Sequence, residues 1–115
     1  MELIYLVKGE GMVKEISPEE EFQFYQQQLQ TLLIQKESLK IQVAEIEGAL
    51  EELNKTEEKQ AFKIVGNIMI KKSVDEIKKE LQEKKEEAEI RIKSLEKTEE
   101  RIMNKLKYLQ SSMKG

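Results

Sequence analysis

Residues 61–72, Ala-Phe-Lys-Ile-Val-Gly-Asn-Ile-Met-Ile-Lys-Lys, constrain this chain more than any other stretch. Two short runs rich in β-branched and other apolar residues flank Gly66-Asn67, a two-residue hairpin signal. With Gly66 and Asn67 as the turn, Val65 pairs with Ile68, Ile64 with Met69, Lys63 with Ile70 and Phe62 with Lys71. Paired residues share a face. One face then carries Val65, Ile68 and Ile70, and the other Phe62, Ile64 and Met69. Both faces are apolar, unlike the alternating pattern of a half-solvated hairpin. A lone two-stranded hairpin is marginal in water. No other stretch reads as β structure, so the partner sheet is expected from another chain. These six residues are the expected oligomerisation surface.

The hairpin is expected between two long helices. Ser17-Pro18-Glu19-Glu20 places a serine at the N-cap, proline at the first helical position and glutamate at the capping-box position. Apolar residues follow at Phe22, Tyr25, Leu29, Leu32, Leu39, Val43, Ile46, Leu50 and Leu53, with Lys36 in the one missing slot. Steps of three and four alternate, which is a heptad seam with Phe22 at a and Tyr25 at d. A second capping box, Ser73-Val74-Asp75-Glu76, follows the hairpin. Its d positions are Val74, Leu81, Ala88, Leu95, Ile102 and Leu109; its a positions mix Ile92, Leu106 and Met113 with Lys78, Lys85 and Glu99. Long polar side chains at a reach water and favour two-stranded packing.

The fold expected is mainly α: an antiparallel two-helix coiled coil with one β-hairpin at the turn. Its parts are a tail over 1–16 and a coiled-coil/hairpin domain over 17–115, with a helix over 17–54, a hairpin over 61–72 and a helix over 73–113. Facing residue numbers should sum to that of Leu53 and Val74, which puts Leu39 near Ala88 and Phe22 near Leu106. Residues 17–53 hold eight acids and two bases, and residues 73–114 ten acids and eleven bases, a tolerable pairing. The hairpin is expected at one end of the coil and the termini about 55 Å away by the helical rise. Residues 1–16, interrupted by Gly9 and Gly11, read as a tail or a short pairing segment, with Met12 an alternative start.

Composition narrows the function classes. With 38% apolar and 37% charged residues, the chain suits solvated helices better than a compact globule. The 20 basic and 23 acidic residues are interspersed, which argues against a dedicated nucleic-acid surface. There is no Cys and no His, so thiol chemistry, the usual proton shuttle and soft metal ligands are missing. Gly66 belongs to a turn, not to a phosphate loop. Paired acids such as Glu86-Glu87 and Glu99-Glu100 read as solvated helix residues. The lysines of Lys71-Lys72, Lys78-Lys79 and Lys84-Lys85 are interrupted by Glu76, Glu80, Glu83, Glu86 and Glu87, so no phosphate-binding stripe forms. No catalytic, cofactor or metal site is expected. No apolar run approaches the ~20 residues of a membrane span, and the start lacks a basic leader and cleavage site. A soluble intracellular protein is the default expectation.

The Tyr25-Gln26-Gln27-Gln28-Leu29-Gln30 stretch, the Phe62–Lys71 hairpin and the single hairpin between two heptad arms together resemble the prefoldin family. The resemblance covers roughly residues 18 to 112, and the Lys63-x-Val65-Gly66 portion looks most like the β class, of archaeal type. α-class chains carry two hairpins. The apolar extension before Met12 is longer than is usual for the class. The resemblance implies a hexamer of two α-class and four β-class subunits, whose hairpins join between chains into two β-barrels. It also implies an ATP-independent chaperone, without cofactor, that holds unfolded clients at the arm tips in the cytoplasm and passes them to a group II chaperonin.

The apolar residues expected near the termini fit that picture. Phe22, Tyr25, Leu106 and Leu109 lie on the seam and should mostly zip the coil. Phe24 and Tyr108 fall at c positions and, with Met12, Val13, Ile16 and Met113, are expected to form an exposed apolar fringe. Phe22, Leu106 and Leu109 complete the client-contact candidates. Two other functions remain open on sequence: a coiled-coil scaffold whose hairpin only oligomerises it, and a helical arm that grips RNA.

Overall fold

The computed structural model describes the backbone of residues 5–8 and 12–114, with side chains from residue 16 onward. In chain order the elements are β1 (Tyr5–Lys8), β2 (Met12–Glu15), α1 (Pro18–Lys55), β3 (Gln60–Val65), β4 (Ile68–Ser73) and α2 (Val74–Lys114). β1 and β2 pair antiparallel from Tyr5↔Glu15 to Lys8↔Met12. The expectation that residues 61–72 hold the only β structure is therefore corrected. Of the two readings of residues 1–16, the pairing segment is the one present. Four-residue strands leave too little pattern to separate from an irregular tail.

Each helix starts as its sequence dictates. The Ser17 hydroxyl accepts from the Glu20 amide at 3.2 Å and donates to the Glu20 carboxylate at 3.2 Å. The Ser73 hydroxyl accepts from the Glu76 amide at 3.1 Å. Each cap thus satisfies an otherwise orphaned donor of the first turn, typically worth ~1 kcal/mol. α1 closes with the Thr56 amide donating to the Glu52 carbonyl at 3.2 Å. The Val74 amide then donates to the Lys59 carbonyl at 2.8 Å, fastening the start of α2 to the segment that enters β3.

The helices and strands fall into two compact units. One holds residues 1–35 and 95–115, and the other residues 36–94, including the β3–β4 hairpin. In both, the d layer of the seam is the core. Leu32, Ile102 and Leu109 are buried in the first unit, and Ile46, Val74 and Ala88 in the second. The a layer is half-buried as far as Leu106, including Lys36, Lys78, Lys85 and Glu99, and Met113 at its end is exposed. Lys85 reaches across to the Glu47 carboxylate of α1 at 3.4 Å, the snorkelling expected of a lysine at that position. The antiparallel register is as the sequence implies. Leu32 and Leu95 line one groove within the first unit, and Leu39 and Ala88 line another within the second.

Candidate functional site

The β3–β4 hairpin has the register read from the sequence, Val65↔Ile68, Ile64↔Met69, Lys63↔Ile70 and Phe62↔Lys71, and extends to Gln60↔Ser73. Gly66 has φ +59°, and no non-glycine residue has a positive φ among the described residues. A positive φ at only the first turn residue marks a type II′ turn, whose twist matches the strands it joins. An L side chain at Gly66 would meet no neighbour within 4 Å, so the glycine is there for its backbone alone.

The two faces of the hairpin differ in what they meet. Lys63 and Lys72 share the face of Val65, Ile68 and Ile70 by register. Both reach Glu80 on α2, at 3.0 Å from Lys63 and 2.5 Å from Lys72. Glu80 is thus held by two ammonium groups, one on each strand. Its carboxyl is held down to about 2, chiefly by the Lys72 hydrogen bond and then by that of Lys63. The Lys72 ammonium is raised in return, mainly by the same bond. This clamp fixes the hairpin on the first turns of α2. The opposite face carries Phe62, Ile64 and Met69. All six apolar residues of the hairpin are exposed, from 40% for Ile70 to 71% for Ile64. A contiguous apolar surface of that kind on a monomer marks an interaction site.

In the other unit, the client-contact candidates and Tyr25 differ in burial. Phe24, Tyr108 and Met113 are exposed. Phe22, Tyr25 and Leu106 are half-buried on the seam. Ile16 and Leu109 are buried, at 5% and 1%, and the expectation that Ile16 joins an exposed fringe is corrected. Ile16 immediately precedes the Ser17 cap, where an apolar side chain commonly folds back to fix the chain's entry into the helix. Met12 and Val13 lie in β2, but their side chains are outside the described residues. The Phe24 and Tyr25 rings meet edge to face with centroids 5.5 Å apart.

Sequence reasoning missed the Glu80 clamp, treating Glu80 only as an interruption of a lysine stripe. The signal lay in the hairpin register, which puts Lys63 and Lys72 diagonally across one face, Lys63 three residues after the start of β3 and Lys72 one residue before the end of β4. Among the described residues no group of three or more Asp, Glu, His or Cys is placed to hold a metal, and no helix is long and apolar enough to cross a membrane.

Two capped heptad helices joined by one apolar, clamped hairpin define a class of coiled-coil subunit with an unsatisfied sheet at its turn. The family model described as prefoldin subunit matches residues 19–115. The chain is 39% identical over 96 residues to a prefoldin subunit beta of Archaeoglobus fulgidus, covering 83% of each. It is 40% identical over 86 residues to one of Thermococcus onnurineus, covering 74% of each. Its fold is similar to the crystal structure of the prefoldin beta subunit from Thermococcus strain KS-1, with TM-score 0.77, 32% identity, and 83% of this chain and 84% of that chain covered. The chain belongs to the prefoldin family of chaperone subunits, on its β-subunit side.

Proposed function

We propose that this chain is the β-type subunit of a nucleotide-independent holding chaperone. The β3–β4 hairpin joins hairpins of other subunits into β-barrels, through Phe62, Ile64, Val65, Ile68, Met69 and Ile70. The partners are an α-class subunit and further copies of this chain, in a hexamer of two α-class and four β-class subunits. The arms hold unfolded polypeptides through exposed apolar residues, with Phe24, Tyr108 and Met113 the leading contacts. Met12 and Val13 are further contacts, and Phe22 and Leu106 contribute what the seam leaves uncovered. The complex works in the cytoplasm and passes clients to a group II chaperonin. Residues 17–115 are the working module.

The observation that carries this reading is the exposure of all six apolar residues of a hairpin whose orientation is fixed by Glu80. A surface so apolar, held so firmly, is organised for another sheet. The test is co-expression with an α-class subunit, followed by native mass and by light scattering of a denatured client diluted into the complex without nucleotide. A hetero-oligomer that suppresses scattering is expected. A homo-oligomer with no effect on scattering would leave only a scaffold, and salt-sensitive RNA binding would point to an RNA arm.

A further inference from the structure

The coiled coil of the first unit is most closed at the end where two helices alone would leave it open. The register that sets Leu32 against Leu95 places Leu109 against Pro18, the first residue of α1. Leu109 therefore has no α1 residue beyond its own level, and a seam residue so placed should be more exposed than those further in. The reverse holds: Leu109 is 1% exposed, against 6% for Leu32 and Ile102. Glu21 departs in the same way. Gln28 and Gln35, one and two heptads further along the same edge of α1, are exposed, yet Glu21 is buried at 4%. Ile16, outside the helix altogether, is buried at 5%. An Ile16 side chain folded back on the first turn covers part of Glu21, but leaves the outer side of each to something else. The remainder of α2 is not that cover, since residues 110–114 continue as helix and all are exposed. What remains in this unit is residues 1–15, where β1 pairs with β2 and β2 ends at Glu15, one residue before Ile16.

We propose that the β1–β2 hairpin is a lid over this end of the coiled coil. Closed, it covers Ile16, Glu21 and Leu109; open, it adds Ile16 and Leu109 to the apolar surface of the arm. The hairpin is built for opening. Two four-residue strands do not hold together alone in water, so β1–β2 persists through the surface it covers rather than through its own ladder. An element of that kind opens locally at a fraction of the cost of unfolding the helices beneath it. Glu21 brings the closed and open states closer together. Burying its carboxylate sets a polar cost against the apolar gain at Ile16 and Leu109, and opening returns that carboxylate to water. The family match begins at residue 19, so the lid is made from residues ahead of the matched part. It gives this chain a means of setting how much apolar surface its arm presents, without nucleotide and without change at the β3–β4 hairpin.

The lid's effect on clients rests on the chaperone reading, its cover over Leu109 does not, and the test separates the two. The Leu6→Pro/Val7→Pro variant opens the lid while keeping Met12, Val13 and every other client-contact candidate. Successive backbone N–H groups of a strand point to opposite sides, so one of the two prolines removes a bond to β2. A variant lacking residues 1–15 removes the lid outright. Both are measured in the complex with the α-class subunit. Hydrogen exchange of the amides around Leu109 should quicken about tenfold, ~1.4 kcal/mol of local stability. Fluorescence of anilinonaphthalene sulfonate, which reports exposed apolar surface, should rise about twofold. Native mass should match wild type in the proline variant and fall in the deletion only by the residues removed. In light scattering, the proline variant should reach half-protection of a denatured client at about half the wild-type concentration. Unchanged exchange and dye binding in both variants would overturn the lid, because residues 1–15 would then cover nothing. Faster exchange with unchanged or weaker client protection in the proline variant would also overturn it, leaving a passive cap. A smaller assembly in either variant would put residues 1–15 in subunit contacts and overturn it too. If neither wild type nor the proline variant protects any client while exchange and dye respond, the chaperone reading falls, and with it the lid's role toward clients.

Discussion

Replacing Ile64 and Ile68 by aspartate puts the assembly surface to its sharpest trial. The two residues lie on opposite faces of the β3–β4 hairpin by register, so an inter-chain sheet or barrel must cover both. They are 71% and 63% exposed in the single chain, and the double variant therefore costs the isolated fold little. Fully burying an isoleucine is worth ~1.5–3 kcal/mol. Scaled by the exposed fractions, covering the pair contributes about 2–4 kcal/mol per hairpin, roughly thirty- to a thousandfold in an association constant. Two carboxylates in the same place add a desolvation penalty in the same direction. Sedimentation velocity should therefore show a smaller species at micromolar concentration. Far-ultraviolet circular dichroism should keep its helical signal, because the capping boxes and the seam are untouched. A double variant with wild-type mass would refute the claim that these faces are buried between chains.

Three further outcomes follow from the geometry. Gly66→Ala forces an L residue to φ +59° and should weaken the hairpin by ~1–2 kcal/mol, read as faster hydrogen exchange in β3 and β4; protection equal to wild type would contradict the turn. Glu80 has its carboxyl lowered from 4.5 to about 2, so the clamp's contribution is fully present above pH 4.5 and is lost as pH falls through about 2. Glu80→Gln should remove that share of the acid dependence of assembly, and identical acid profiles for variant and wild type would show the clamp to be idle. Aggregation suppression should be indifferent to ATP and Mg²⁺, and a requirement persisting in preparations free of other ATPases would contradict nucleotide independence.

Much of this fold is legible in the sequence because several local signals agree. Gly66-Asn67 fixes the hairpin register residue by residue, since a two-residue turn leaves one pairing. Ser17 and Ser73 each stand where a cap is required. The seam's period places Leu32 opposite Leu95 and Leu39 opposite Ala88 without any long-range information. What escaped has a common cause. The β1–β2 pair consists of four-residue strands, too short for a period to emerge. Ile16 is apolar and next to a tail, and only the folded chain shows it turned inward. Glu80 is one acid among many on a highly charged helix, and it becomes special only when two lysines on different strands converge on it.

The central claim is that assembly and client holding reside on different surfaces, the first on the β3–β4 hairpin and the second on exposed residues of the helices. Changing Phe24, Tyr108 and Met113 to Ser removes exposed apolar surface while leaving Ile16, Leu109 and the hairpin intact. The decisive measurement is light scattering of a diluted denatured client, taken beside native mass of the same complex with the α-class subunit. The expected result is a hexamer of unchanged mass with reduced protection, graded across the single changes because many weak contacts share the load. Full protection by the triple variant at normal mass would contradict the claim that these residues hold the client, and a lost hexamer would contradict the separation of the two surfaces.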